Sequence, residues 1–555
     1  TTNSEAQMSL KKHLRRLQDA DLSQEYACLN ALQHTAWRVN RPLLEVIRQV
    51  WDNGQQWGKL PARDDVPLPE YPFSKDPKEM TESEKSEFRD WSRKRNSIYS
   101  INNRSVSKRI QVERTLQVAE SYSGYDEFFY VWQNDFRSRK YASSTFLSPQ
   151  SADWSKSLLE FNRPMPINNW EDARWLCIHG ANLYGNDKIT LDQRESWAWD
   201  MADEVHRIVN NPYDNQLWLE ADKPYQFLGW CMEFSALVKH GWGYESRFPV
   251  SADGSCNGLQ HLSAILRDER GGRATNLIPA SVPQDIYTEV AEEALALVQQ
   301  DDGELAKQWQ EFGIDRALTK RPVMIVPYSG TRHACRAYIQ EAMSDQIEAG
   351  KPNIFGDDLF PASNYLAGYV WDAISDVIES ASQVMTYIKQ VGEVYADHTR
   401  HMEWITPTGW VVVQHYSDTE TKRIKTHING EMVRLNIVED LKDTVNKRRT
   451  GLGSSPNFIH SLDAAAMTKT INKCRQHGLR DFAMVHDSYG THSTSMPVMS
   501  DILRSEFVNM YETHDVLNEL RDHAVRTLGT NDVPYPPAMG KLDLASVLRS
   551  DYFFA

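Results

Sequence analysis

Residues 482–490 read FAMVHDSYG, an apolar run that bends at Asp487, and residues 250–258 read VSADGSCNG, a second apolar run that ends on Asp253. Both have the form of a short strand delivering one carboxylate to its end. Oxygen donors suit hard cations: Mg²⁺ keeps several waters and takes the rest of its shell from one or two carboxylates and substrate phosphates. In a two-metal site, with ions ~3.5–4 Å apart, one ion activates the attacking oxygen and the other steadies the leaving one. Phosphoryl transfer on two Mg²⁺ ions is therefore the expected chemistry, with Asp253 and Asp487 as metal ligands. The alternative for an aspartate at a bend is a turn or helix cap.

Between them lies RALTKRPVMIVPYSG (316–330), in which Arg316 and Lys320 are four apart and Tyr328 eight further on. That spacing predicts one helical face carrying two cations and a phenol, suited to a nucleoside triphosphate. Pro322 and Pro327 lack the N–H that a helical ladder needs, so a kink or early break is expected near Tyr328.

The 555-residue chain as a whole bounds this reading. It is 41% hydrophobic with 17 Trp, enough for a large core, and no apolar run approaches the ~18–20 residues of a membrane span. Six scattered cysteines without a CxxC pair suggest neither a disulfide framework nor zinc. The net charge of −15 opposes nucleic-acid binding as a sum, but basic residues cluster at 93–95, 104–109, 137–140, 320–321 and 447–449. Each cluster is either part of a basic cleft or a solvated helix face.

Along the chain, residues 1–58 read as helical, including Trp37 and Val39, and the proline-rich stretch 61–79 reads as a linker. A charged helix is expected from about 81 to 120. Short strands are expected at FFYVW (128–132) and KYASSTFL (140–147). WVVVQHY (410–416) is expected to pair with HINGEMVRLNIV (427–438), which carries an Asn429-Gly430 turn signal. The fold class is mixed α/β, predominantly helical, a sheet-based catalytic base with helical insertions.

The strings DFRSRKYA, HGANLYGNDK, SADGSCNGLQHLSAILRDERGGRATNLIP, QDIY, RALTKRPVM with Tyr328, PNFIHSLDAAAM, FAMVHDSYGTH and the terminal SDYFFA occur in an order that resembles single-subunit DNA-directed RNA polymerases of the bacteriophage type, a family shared with mitochondrial enzymes. The resemblance spans roughly residues 26–555. It implies a right-hand architecture: a remnant of an amino-terminal domain at 1–58, linker and thumb at 59–125, palm at 126–281 and 460–555 with a carboxy-terminal foot, and fingers at 282–459 with a specificity hairpin at about 420–440. Most of the amino-terminal domain used for upstream promoter contacts is expected to be lacking.

By the same resemblance, Asp253 and Asp487 hold Mg²⁺ with the Gly254 carbonyl as an extra ligand, Arg316 and Lys320 engage the triphosphate, and Lys320 also protonates the pyrophosphate. Tyr328 and His460 lie beside the sugar, Tyr287 lines the nucleotide pocket, and Arg139 and Lys156 support the nascent chain. His486 and Ala555 adjoin the site without a defined role. Arg434 and Asn436 on the hairpin have donors for major-groove base edges. The implied partners are promoter or template DNA, the RNA transcript and NTPs, with a monomeric enzyme in the cytoplasm of an infected bacterium.

Related DNA polymerases differ at three positions. They place a Glu where this chain has Gly258, an aromatic residue where it has Met324, and a second acid where it has Ser488. Less bulk beside the sugar favours ribonucleotides. A metal-dependent nuclease and a catalytically silent DNA-binding protein are the rivals from other classes.

Overall fold

The computed structural model describes residues 13–72, 80–328, 330–356, 358–428, 430–441 and 443–555, with backbone alone at Tyr328, Ile428 and Glu431. Helices dominate, and among the described residues the strands form six separate two-stranded pairings. Helix Lys447–Gln476 runs through the centre, with eighteen buried residues that include Asp463 and Cys474. Helix Asn257–Leu266 is buried at all ten positions, with its polar Gln260 and His261 hydrogen-bonded inside the core.

The charged helix is present as Glu82–Tyr122, 41 residues or about 60 Å long. Its start is fixed by a capping box: Thr81 Oγ1 accepts from the Glu84 N–H and the Glu84 carboxylate accepts from the Thr81 N–H. Its carboxy-terminal third is anchored on helix Arg41–Asp52, where Arg48 pairs with Glu113 and Glu120 and the Trp51 indole donates to Glu113. Apart from Asn102, its buried residues fall in that third: Val112, Thr115, Leu116 and Ala119.

The proline-rich stretch is a strap laid along this helix as far as it is described; 73–79 lie outside the described residues. Val66 exchanges two hydrogen bonds of 2.9 Å with the Asn102 side chain, Arg109 holds the Asp64 carbonyl and the Asp65 carboxylate, and the Trp91 indole donates to the Glu70 carbonyl at 2.8 Å. Tyr71 packs edge-on against Trp91. Proline removes donors from such a segment, and side chains of the helix supply partners for what remains.

Three expectations are corrected. Trp37–Val39 is a strand paired with Leu159–Phe161, between helices Ser23–Gln33 and Arg41–Asp52. Val411–Val413 pairs with Glu403–Ile405 rather than with the later strand, and Glu431–Asp440 pairs instead with Thr419–Ile428. Asn429 of that turn lies outside the described residues, while Gly430 has the positive φ (86°) that a tight hairpin turn requires. The strand FFYVW shrinks to Trp132–Asn134, paired with Lys140–Ala142.

Candidate active site

Strand Val250–Asp253 runs antiparallel to Ser488–Thr491, with Ser488 opposite Asp253 and Tyr489 opposite Ala252. Asp487 sits in the tight turn that feeds the second strand, where Val485 and Ser488 exchange both backbone hydrogen bonds (3.0 and 2.8 Å) and His486 takes φ +53°. Val250, Ala252 and Tyr489 are buried, whereas both carboxylates are exposed, Asp253 by 54% of its side chain. The pairing thus brings the two aspartates to one end of one ladder.

Their charges act on each other. The pKa of Asp487 is raised, first by the protein packed around a side chain that still reaches solvent and then by the Asp253 charge. Desolvation pushes Asp253 the same way, but Lys223, the Ser488 hydroxyl and Lys156 outweigh it and hold its pKa below the usual carboxylate value. Two neighbouring carboxylates, oxygen donors both, fit hard divalent cations. Among the described residues no group of three or more His, Cys, Asp or Glu could hold a metal; a hard cation on one or two carboxylates would complete its shell with substrate phosphates and water. The Gly254 carbonyl already accepts from the Cys256 N–H at 3.0 Å, leaving one lone pair.

Asp253 lines a cleft of about 280 Å³ together with Gly254, Tyr287, Arg316, Lys320 and Ala555. Helix Arg316–Ile325 is started by Asp315, whose carboxylate accepts from the N–H groups of Ala317 and Leu318. Arg316 donates to Asp285 at 2.7 Å and lies over the Tyr287 ring at 5.2 Å, and Thr319 Oγ1 holds the Tyr287 carbonyl at 2.7 Å. Lys320 is exposed and makes no ion pair among the described residues. The α-helix ends at Ile325, three residues past Pro322, and continues as the 3₁₀ turn Val326–Tyr328. The expected break is there, and Tyr328 lies beyond the α-helix that carries the two cations.

The last residues close the floor. Gly254 bridges to Phe554, Ala555 N lies 3.4 Å from the Asp253 carbonyl, and the Phe554 ring packs at 90° on Tyr489. A Cβ at Gly254 would fall 2.9 Å from both the Phe554 ring and Gln260 Oε1, so only glycine permits this approach.

A second group gathers near Asp487. Arg139 is forked onto buried Asp463, and Arg137, held by Asp135, meets His460 Nδ1 at 2.8 Å. His486 packs against Tyr141 with ring centres 5.0 Å apart. Burial, with Arg139 and Arg137 adding to it, lowers the pKa of His460 to about 2 and that of His486 to about 4, so both are neutral at pH 7. The basic run 137–140 is therefore internally paired in this structure, with Lys140 buried against Glu25.

Lys156 ends the short helix Asp153–Lys156 beside Asp253, and burial lowers its pKa. Arg434 and Asn436 are exposed on the hairpin, opposite Lys425 and Arg423, and neither lines the cleft. Sequence reasoning missed Lys223, Lys188 and His179. All three line the cleft, and His179 also meets the Ser251 carbonyl of strand Val250–Asp253 at 3.1 Å. His179 and Lys188 stand at the two ends of HGANLYGNDK, a string that was read without assigning them. Lys223 carried no signal beyond preceding a proline.

No described helix is long and apolar enough to cross a membrane. The chain is 30% identical to the DNA-directed RNA polymerase of Enterobacteria phage T3 and 29% identical to the T7 RNA polymerase of Escherichia phage T7, in each case over 98% of this chain and 66% of the relative. It is 32% identical to the mitochondrial DNA-directed RNA polymerase 1 of Arabidopsis thaliana, over 98% of this chain and 55% of that protein. The chain thus spans less than two thirds of the length of these relatives, which come from phages and from a plant organelle. The family profile for DNA-dependent RNA polymerase matches residues 168–535, a stretch that holds both aspartates, the Arg316 helix and the hairpin. With that match over most of its length, the chain belongs to the DNA-dependent RNA polymerase family.

Proposed function

We propose that this chain carries the catalytic body of a DNA-directed RNA polymerase, extending an RNA 3′ end on a DNA template with release of pyrophosphate. The observation that carries the reading is the register that seats the turn of Asp487 beside Asp253 at a cleft also lined by Arg316 and Lys320. Two Mg²⁺ ions held by Asp253 and Asp487 would supply activation of the 3′-hydroxyl and charge neutralisation at the phosphates.

The chain's own residues do the rest. Arg316, fixed by Asp285 and stacked on Tyr287, presents a preorganised guanidinium to the triphosphate. Lys320 brings an unpaired ammonium to the leaving phosphate and is the proton donor to it. Tyr287 forms the wall of the nucleotide pocket. Tyr328 and neutral His460 serve the sugar. Gly258 and Ser488 leave room where related DNA polymerases carry acids. Arg139, oriented by Asp463 near Asp487, and Lys156, beside Asp253, are the cations that steady the nascent chain.

In this reading 126–281 and 460–555 form the palm with the foot at Ala555, 282–459 the fingers, and the helix within 59–125 the thumb. Arg434 and Asn436 face promoter base edges from the exposed hairpin, and template DNA, transcript and NTPs are the partners of a monomer. The experiment is primer extension with Mg²⁺ and either NTPs or dNTPs, comparing the wild-type chain with Asp487→Asn. Extension with NTPs that vanishes in the variant supports the reading. Strand shortening would assign a nuclease, and binding without chemistry a silent protein.

A further inference from the structure

Lys223 stands at the amino-terminal end of helix Pro224–His240, where the helix dipole disfavours a cation. It does no capping work there. The cap comes from Asp153, whose carboxylate accepts from the N–H groups of Tyr225 and Gln226 at 2.9 and 3.2 Å. What the Lys223 side chain meets is the reaction centre: Nζ lies 3.5 Å from Asp253 Oδ2, and the side chain, 44% exposed, lines the same cleft as Arg316 and Lys320. A residue that breaks a local rule while facing a functional carboxylate is placed by the site rather than by the helix.

Asp253 then has two competing cationic claims, an ammonium and a divalent ion. Mg²⁺ demands oxygen at ~2.0–2.1 Å in a strict octahedron, which an ammonium held against the same carboxylate obstructs and repels. Lysine is a point charge on a flexible four-carbon stem, so it moves aside at little cost if another anion receives it. The anion that enters this cleft under the proposed function is a triphosphate.

We propose that Lys223 is a positioning residue that guards Asp253: it opposes divalent-metal binding in the absence of nucleotide and transfers to the phosphates of the incoming nucleoside triphosphate. Metal and nucleotide then load cooperatively, and the unprimed enzyme does not hold a fully metallated centre. This inference rests on the assignment of Asp253 as a metal ligand.

The test measures free Mn²⁺ by electron paramagnetic resonance with the full chain, without nucleotide and with an α,β-methylene nucleoside triphosphate that cannot be transferred. Lys223→Gln is expected to bind Mn²⁺ on the order of tenfold more tightly than wild type without nucleotide, and to lose most of the cooperativity with the analogue. Lys223→Arg keeps the charge and should keep the wild-type pattern. Equal or weaker Mn²⁺ binding by Lys223→Gln, or undiminished cooperativity, overturns the proposal, and a lysine that only supported the fold would lower Tm without tightening metal binding. Asp253→Asn separates the two levels. If it leaves Mn²⁺ binding intact, the metal assignment itself fails; if it abolishes binding while Lys223→Gln changes nothing, only the guarding role fails.

Discussion

Arg139 and Asp463 meet through two hydrogen-bonded atom pairs, joining the segment before strand Lys140–Ala142 to the central helix Lys447–Gln476, close to the turn that carries Asp487. Asp463 is only 5% exposed, so removing its partner leaves a buried carboxylate with only the weaker Arg137 charge to offset it. Arg139→Ala should cost about 3 kcal/mol or more, read as a fall in Tm. The double variant Arg139→Ala, Asp463→Ala should recover a large part of that loss. If the two single losses simply add, the pair is not coupled.

Lys320 is exposed and unpaired in the cleft, and its removal should barely touch stability. Lys320→Met is expected to keep the wild-type Tm while slowing single-turnover nucleotide addition by roughly 10²–10³-fold, the size of losing one well-placed electrostatic partner of the transition state. An unchanged rate in quench-flow would remove Lys320 from the chemistry.

His261 gives a pH-dependent outcome. Burial, with a smaller contribution from Arg139, lowers its pKa to about 3, and its Nδ1 meets the Tyr511 hydroxyl at 2.6 Å. An unfolded histidine titrates near ~6.5. Because the folded value is depressed, this group's contribution is fully present above about pH 6.5 and is lost as pH falls towards 3, reaching about 2 kcal/mol by pH 5. In His261→Gln that loss cannot occur. The Tm difference between wild type and variant should therefore shrink, or reverse, between pH 7 and pH 5; a constant difference would contradict a neutral buried imidazole.

Asn102 clamps the strap through both its amide groups. Asn102→Ala removes two hydrogen bonds worth roughly 1 kcal/mol each, and local opening should rise by on the order of tenfold. Limited proteolysis within 61–72 reads this directly. Equal cleavage rates in wild type and variant would mean that the strap is held elsewhere.

What the sequence disclosed follows physical range. The two aspartates announced themselves because an apolar strand ending in a carboxylate is a local pattern, and the break after Ile325 because Pro322 and Pro327 act within a few residues of themselves. The ordered strings carried the family. Trp37–Val39 was misread because a three-residue strand owes its existence to Leu159–Phe161, a partner that local periodicity does not reveal. For the same reason WVVVQHY was matched to the wrong neighbour. The basic run 137–140 looked available for phosphates since Asp463 and Glu25, which neutralise it, lie far off in the chain. Lys223 was invisible because only folding sets its ammonium against Asp253.

The ladder that seats Asp253 opposite Ser488 joins two strands between which the helices from Asn257–Leu266 to the long central Lys447–Gln476 are strung. Such a contact closes a very long loop, and loops of that kind form late. A nascent chain still on the ribosome therefore cannot bring Asp253 and the Asp487 turn together until Thr491 has emerged and the intervening body has condensed. Under the proposed function incomplete translation products are expected to be inactive, and in refolding experiments activity should return with the slowest phase rather than with the bulk of helical signal.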